Sequence, residues 1–214
     1  MPTDTMNLAR QHLAGVDPEL GPWMQRIGPL QLSQNPQQPF VALLRAIAHQ
    51  QLHAQAAQSV LARLWALSEG QCPDAAQLHA YTPEQLRSCG FSAGKSAALH
   101  DLAAHQLAGH IPDREQAASM TDAELIARLS QIRGIGRWTV EMMLIHTLGR
   151  SDVLPAEDFG LRSGFRVLRQ LETLPRPRQL AEAGQIYAPW RSLASLYLWR
   201  ISDFYKKIPT PRPD

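Results

Sequence analysis

Cysteine is scarce: Cys72 and Cys89 are the only two in 214 residues. That is too few for a disulfide framework, a four-cysteine zinc site or a four-cysteine iron–sulfur cluster, and both read as small apolar fillers. Long apolar runs are missing too, since no stretch approaches the roughly 20 uninterrupted apolar residues that a membrane-spanning helix needs. The opening MPTDTMNLAR has no basic region followed by an apolar one, so no secretory signal is read and a reducing cytoplasm is the expected compartment. Valine and threonine are sparse, and period-2 alternation of apolar and polar residues is absent, which argues against β-structure. With 44% apolar and 19% charged residues, wholesale disorder is excluded as well. The pattern predicts an all-α fold.

Charge is low overall, at +2, but unevenly spread. Residues 131–214 carry 13 basic and 8 acidic side chains, whereas residues 1–130 carry 8 and 11. Such an asymmetry suits a polyanion-binding face on the later segments, and it equally suits solvated surface decoration.

Helical signals follow one another along the chain. Helices are expected over about 5–14 and 20–27, then a polar loop, SQNPQQP, from Ser33 to Pro39. Phe40, Leu43, Leu44 and Ile47 share a helical face, and the spacing resumes at Ala56, Val60, Leu61, Leu64 and Leu67. A polar interruption, His49-Gln50-Gln51-Leu52-His53, separates the two. Thr82 with Gln85 and Thr121 with Glu124 read as capping boxes, and Ser92 as an N-cap. A helix over about 137–148, one from Asp158 through Leu168, a short one near 180–184 and a long one over about 189–205 complete roughly ten. The tail IPTPRPD reads as frayed.

The most informative stretch is LSQIRGIGRWTV, Leu129–Val140. A helix ends, Gly134-Ile135-Gly136 turns the chain, and a second helix starts at once. Glycines allow positive φ and close backbone approach, and N–H groups at the start of the second helix face an anion. Ile132 and Ile135 would pin the two helices together, while Arg133 and Arg137 add positive charge at the rim. An ordinary αα-hairpin is the other reading of a bare Gly-x-Gly. Downstream lies DVLPAEDFGL, in which Asp158 either caps a helix or faces a sugar whose phosphate the hairpin grips, stabilising an oxocarbenium-like centre or activating water.

Together, GIGRWTVEMM and DVLPAEDFGL resemble the helix-hairpin-helix glycosylases of base-excision repair, and more narrowly their DNA-3-methyladenine glycosylase II branch. RAIAHQQLHAQAA at Arg45–Ala57, LRSCGFSAGKSAALHDLA at Leu86–Ala103 and PWRSLASLYLWR at Pro189–Arg200 extend the likeness over residues 35–205, in the family's order and spacing. The resemblance implies an all-α, two-lobed helix-hairpin-helix fold with the active-site cleft between lobes. One lobe would comprise residues 1–35 and 150–214, the other residues 36–149 with the hairpin at about 125–148. The additional N-terminal α/β domain of some members is not expected ahead of Phe40.

The family's catalytic aspartate falls on Asp158. Trp138 stands where related enzymes that also cut the strand place a Schiff-base lysine, so base removal without strand cleavage is implied. Trp138 and Trp199 match aromatic positions of the base pocket, where a desolvated cationic base gains about 2 kcal/mol from a ring face. N-alkylated purines carry such a charge and leave readily. Core packing is the alternative for both tryptophans, Trp199 fitting a face with Leu193, Leu196 and Tyr197.

Backbone binding is implied for Gly134, Gly136, Arg133, Arg137 and Thr139, and a wedge for the loop Gln51-Leu52-His53, with either Leu52 or His53 filling the gap a flipped base leaves. His53 could instead be a solvated helix start, and His49 departs from the small residue expected there. Family hairpins often hold Na+ or K+ on carbonyls, which here would be those of Ser130, Ile132 and Ile135; no other cofactor is implied.

The partner implied is double-stranded DNA carrying damaged bases, bound by a monomer with no membrane involved, nucleoid-associated if the host is a bacterium. Two further readings stand beside alkylpurine removal. One is the same scaffold acting on deaminated or oxidised bases, and the other is a non-catalytic helix-hairpin-helix DNA-binding module, which would have no need to keep Asp158.

Overall fold

A computed structural model of the chain describes residues 3–32 and 35–206. Ser33 and Gln34 of the expected polar loop, and the tail IPTPRPD, lie outside the described residues. Among the described residues every regular element is helical: α1 (Thr3–Val16), α2 (Leu20–Ile27), α3 (Pro39–His49), α4 (Ala54–Ala66), α5 (Ala75–Ala80), α6 (Pro83–Ser88), α7 (Ala93–Leu107), α8 (Arg114–Ser119), α9 (Asp122–Leu129), α10 (Arg137–Met143), α11 (Phe159–Leu168), α12 (Pro177–Ala183) and α13 (Arg191–Lys206). A π-helical turn, Leu144–Leu148, follows α10, and a 3-10 turn, Gly184–Tyr187, follows α12. No described helix is long and apolar enough to cross a membrane.

The chain forms two compact units, Met1–Asn35 with Leu144–Asp214, and Pro36–Met143. The second unit ends at Met143, ahead of the expected limit at residue 149, at the point where the helix read as continuous over 137–148 changes character. From there the chain widens into the π-turn, which is joined to the rest of the first unit by two backbone bonds: Asn35 N–H donates to the His146 carbonyl at 3.1 Å and Arg150 N–H to that of Leu144 at 2.9 Å.

The first unit is organised by α13 and α11. Leu193, Tyr197, Leu198 and Ile201 of α13 are fully buried, as is Leu161 of α11, whose Phe165 and Leu168 are nearly so. The two helices meet at backbone contact, since a Cβ on Gly164 would lie 1.9 Å from the Leu198 carbonyl oxygen. Beside them sits a buried charge, Asp17, at 1% exposure. Arg169 grips it with both terminal nitrogens at 2.9 and 2.8 Å, and the Tyr187 hydroxyl donates to the same carboxylate. Burial first, and that bond second, push the Tyr187 phenol well above its ordinary range. Arg169 also reaches Glu19 at 2.8 Å, which closes the group with a second carboxylate.

The second unit is built on α3, whose Leu43, Leu44 and Ile47 are fully buried, and on α7, which buries Leu99 and Leu102. Its short helices owe their start points to side chains. The expected capping boxes at Thr82 with Gln85 and at Thr121 with Glu124 are formed, and Ser92 accepts from Lys95 N–H at 3.3 Å. Two more boxes, Asp74 with Gln77 and Asp113 with Gln116, start α5 and α8, which the apolar spacing missed because each buries a single side chain.

Candidate active site

In the second unit, α9 ends on Ser130 and the chain turns tightly. Ile132 N–H donates to the Leu129 carbonyl at 3.2 Å and Ile135 N–H to that of Ile132 at 3.0 Å. Ile132 and Ile135 are buried at 2% and 3%, as pins between α9 and α10 should be. Gly134 adopts φ +77°, the left-handed region that disfavours a side chain, and an added Cβ would meet that of Ala98 at 3.3 Å. Gly136 differs: nothing lies within 4 Å of an added Cβ and its φ is not left-handed.

The hairpin is anchored to α7 by an unanticipated bond in which Arg133 N–H donates to Asp101 Oδ2 at 2.7 Å. Arg133 and Arg137 are exposed, the latter with its Nε held by Glu141 Oε1 at 2.8 Å. Thr139 does not share that exposure. It is buried at 8%, on the inner face of α10, and lines a pocket beside Trp138. Trp138 is 47% exposed, against the core-packing alternative. The pocket, of about 630 Å³, is bounded by Trp138, Met142, Gln50, Gln51 and Lys95.

The loop leading into α4 forms a type II turn. Gln50 has φ −53° and ψ 127°, Gln51 has φ 55°, and Leu52 N–H donates to the His49 carbonyl at 3.2 Å. A glutamine in the position that favours glycine stores roughly 1–3 kcal/mol of strain. Leu52, 39% exposed, stands just past that corner, while His53 takes the N-cap position of α4 without a side-chain cap bond. His49, the departure from a small residue, closes α3 with its ring bonded to the Arg45 carbonyl at 2.8 Å.

In the first unit, Asp158 is the N-cap of α11, its Oδ1 accepting from Leu161 N–H at 2.6 Å. The capping alternative is therefore realised, but the same oxygen also accepts from Trp199 Nε1–H at 2.8 Å. A cap needs no partner 41 positions away. Gly160 leaves the pair uncrowded, since a Cβ there would come within 3.1 Å of Asp158 Oδ1 and 3.2 Å of Trp199 Cδ1.

The segment leading to Asp158 is fastened to the start of α13, the helix that carries Trp199. Arg191 pairs with Asp152 through Nε at 2.7 Å and Nη2 at 2.9 Å, Ser192 N–H donates to the Ser151 carbonyl at 3.0 Å, and Val153 N–H donates to Ser192 Oγ at 2.9 Å. The Arg191 hydrogen bond holds the Asp152 carboxyl below its ordinary range. Carboxylate and indole are thus fixed by one scaffold.

A residue that sequence reasoning missed completes this half. His146, on the π-turn, stacks on Trp199 with ring centroids 5.8 Å apart and planes 30° from parallel. Desolvation lowers its pKa, favouring the neutral ring. A π-turn has no known residue signature that periodicity would reveal, although such turns gather at functional sites. His146 and Trp199 line a second pocket of about 270 Å³ with Gln31, Arg200 and Asp203.

No described group of three or more His, Cys, Asp or Glu is placed to hold a metal ion. Of the carbonyls expected to hold a monovalent cation, those of Ser130, Ile132 and Ile135, that of Ile132 has a hydrogen-bond partner within the turn. Ile135 N–H occupies one of the two lone pairs of the Ile132 oxygen, which leaves that carbonyl able to coordinate through the second.

A tight glycine hairpin between two short helices, with an indole-bonded carboxylate at the head of another, defines a helix-hairpin-helix protein with an acidic candidate centre. Comparison with known proteins places it more closely. Residues 44–189 match the model of the HhH-GPD superfamily of base excision DNA repair proteins, and the chain belongs to that family. It is 38% identical over 210 residues to the DNA-3-methyladenine glycosylase 1 of Schizosaccharomyces pombe, covering 95% of this chain and 92% of that one. The alkylbase DNA glycosidase-like protein mag2 of the same yeast is 31% identical, over 93% and 95% of the two chains.

Among solved structures, a Schizosaccharomyces pombe 3-methyladenine DNA glycosylase bound to abasic DNA superposes with a TM-score of 0.81 at 39% identity, over 91% of this chain and 96% of that one. A DNA-3-methyladenine glycosidase from Bacillus halodurans gives 0.85 at 30% identity, over 94% and 91%.

Proposed function

We propose that this protein is a monofunctional DNA glycosylase of base-excision repair, which hydrolyses the N-glycosidic bond of alkylated purines such as 3-methyladenine and 7-methylguanine after flipping them from the duplex. The observation that carries the reading is the Asp158 carboxylate held by Leu161 N–H and Trp199 Nε1–H. A charge so fixed stabilises positive charge on a sugar, and it meets the development of that charge with no reorganisation. Because a cationic base already leaves well, help is needed on the sugar side and an acid for the base is dispensable. The names of the relatives above support this substrate class.

The hairpin would grip backbone through its N–H groups at Gly134 and Gly136, with Arg133 and Arg137 adding charge, a contact that reads no base. Na+ or K+ on the Ser130, Ile132 and Ile135 carbonyls would add positive charge beside the gripped phosphate. Leu52 would fill the vacated stack, its place past the turn favouring it over His53, which heads α4. Trp138 would offer its exposed face to the cationic base, and, having no amine, would leave the abasic strand intact. No cofactor enters this chemistry. We propose a monomer acting in the cytoplasm on double-stranded DNA.

The test is release of free base from methylated DNA, resolved by chromatography, with borohydride trapping of any enzyme–DNA imine run in parallel. Release of 3-methyladenine or 7-methylguanine without trapped complex is expected. Release of deaminated or oxidised bases alone would move the protein to another substrate class, and silence on all lesions would leave a DNA-binding module.

A further inference from the structure

The turn that carries the wedge and the hairpin that grips the backbone are 84 residues apart in sequence, and the side chain of Gln50 joins them: its Nε2 donates to the carbonyl oxygen of Gly134 at 2.8 Å. Both ends of this bond lie in tight turns. Gln50 is the first corner residue of the type II turn, immediately before the left-handed Gln51, and Gly134 is the left-handed residue of the hairpin. A second bond steadies the helix that delivers the turn, with Lys95 Nζ of α7 donating to the Ala48 carbonyl near the end of α3 at 2.8 Å. The bond from Asp101 holds the hairpin to the same helix. The turn and the hairpin are thereby referenced to α7 and directly to each other.

We infer that Gln50 is a positioning residue for base extrusion, transmitting the hairpin's fixed hold on the DNA backbone to the wedge turn. The inference rests on the glycosylase reading above. A wedge acts by entering a stack at a defined place relative to the phosphates, and a turn strained at Gln51 has other conformations open to it. The Gln50 amide removes those alternatives by tying the corner to the element whose position on the DNA is set. Its oxygen and nitrogen are not equivalent here, because only the amide N–H₂ can donate to a carbonyl. A carboxylate of the same shape would repel it.

This role differs from a direct contact or a packing role in what it affects. A positioning residue for extrusion matters when the lesion is paired and expensive to flip. It matters less when the lesion faces an abasic nucleotide, where no pairing is lost.

The experiment compares single-turnover release of 7-methylguanine paired with cytosine and of the same lesion facing an abasic nucleotide, for the wild type, Gln50→Ala and Gln50→Glu. The ratio of paired to unpaired rate is expected to fall about fivefold in Gln50→Ala, the usual worth of one hydrogen bond. In Gln50→Glu, which keeps the shape but loses the donor, the fall should be at least as large. Thermal unfolding of each variant confirms that the fold persists.

An unchanged ratio with an active wild type overturns the brace alone. So does a fall in Gln50→Ala that Gln50→Glu does not share, since that marks packing. A wild type that releases neither 7-methylguanine from these duplexes nor 3-methyladenine from methylated DNA overturns the alkylpurine reading and the brace with it.

Discussion

The two units carry their candidate residues in opposite physical styles. In the first, Asp158 and Trp199 are held by overlapping constraints: an N-cap bond, an indole bond, a stacked imidazole, and a loop fastened to α13 by an ion pair and serine bonds. In the second, the hairpin's arginines and the turn at Gln51 and Leu52 are exposed, the turn is strained at Gln51, and side chains of Gln50 and Asp101 hold the hairpin. A group that must stabilise charge gains from having no freedom. An element that is to meet a molecule outside the chain needs open space, and nothing lies within 4 Å of a Cβ added at Gly136. Substitutions in the first unit should therefore damage the chemistry or the fold, and those in the second should damage DNA handling.

The sharpest way to break the contrast is Gly164→Ala. Its methyl group would collide with the Leu198 carbonyl at 1.9 Å, and backbone cannot yield as a side chain does. A loss above about 4 kcal/mol is expected, read as failure to give a cooperative melt; a stable variant would show that α11 and α13 can separate. Arg169→Ala leaves buried Asp17 without its bidentate partner and should cost about 3 kcal/mol in chemical denaturation.

Trp199→Phe keeps a ring against His146 but removes the donor to Asp158. Hydrogen bonds to charged groups are worth about 1.5–3 kcal/mol, so single-turnover release should fall about tenfold or more while duplex affinity holds. In the second unit, Gly136→Ala should fold normally yet weaken binding to damaged and undamaged duplex alike, by up to about tenfold in Kd. A lesion-selective loss would remove the hairpin from backbone gripping.

The smallest expected effect concerns pH. Desolvation lowers the pKa of His146 in the folded state, so the unfolded chain binds that proton more readily. Stability linked to this group is present above its unfolded value of about 6.5 and declines as pH falls through it. Melting temperature should drop less steeply between pH 7 and pH 5 in His146→Phe than in the wild type, and identical slopes would remove the linkage.

What could be read from the chain was local. The hairpin shows itself through glycines within a few residues of each other, Asp158 through a proline loop and a helix start, and two capping boxes through residues three apart. Those signals reflect backbone requirements that a single segment must satisfy by itself. Other parts depend on meetings that no local pattern encodes: Gln50 with Gly134 across 84 residues, Arg169 with Asp17 across 152, Trp199 with Asp158 across 41. Trp199 was singled out as a ring, and its N–H was overlooked. Backbone binding is expected of Thr139, and the helical turn of α10 leaves it 8% exposed. The capping boxes at Asp74 and Asp113 were within reach of the same local reasoning, and were passed over because their helices bury so little.

The central claim, that a fixed carboxylate at Asp158 performs the chemistry, is tested most directly by Asp158→Asn beside the wild type. Single-turnover release of 7-methylguanine and affinity for the same duplex would be measured together. The substitution keeps the shape and removes the charge, so release should fall by at least about a hundredfold while Kd changes little. Undiminished release from the asparagine variant would contradict the account and send the search for the reacting group elsewhere in the chain.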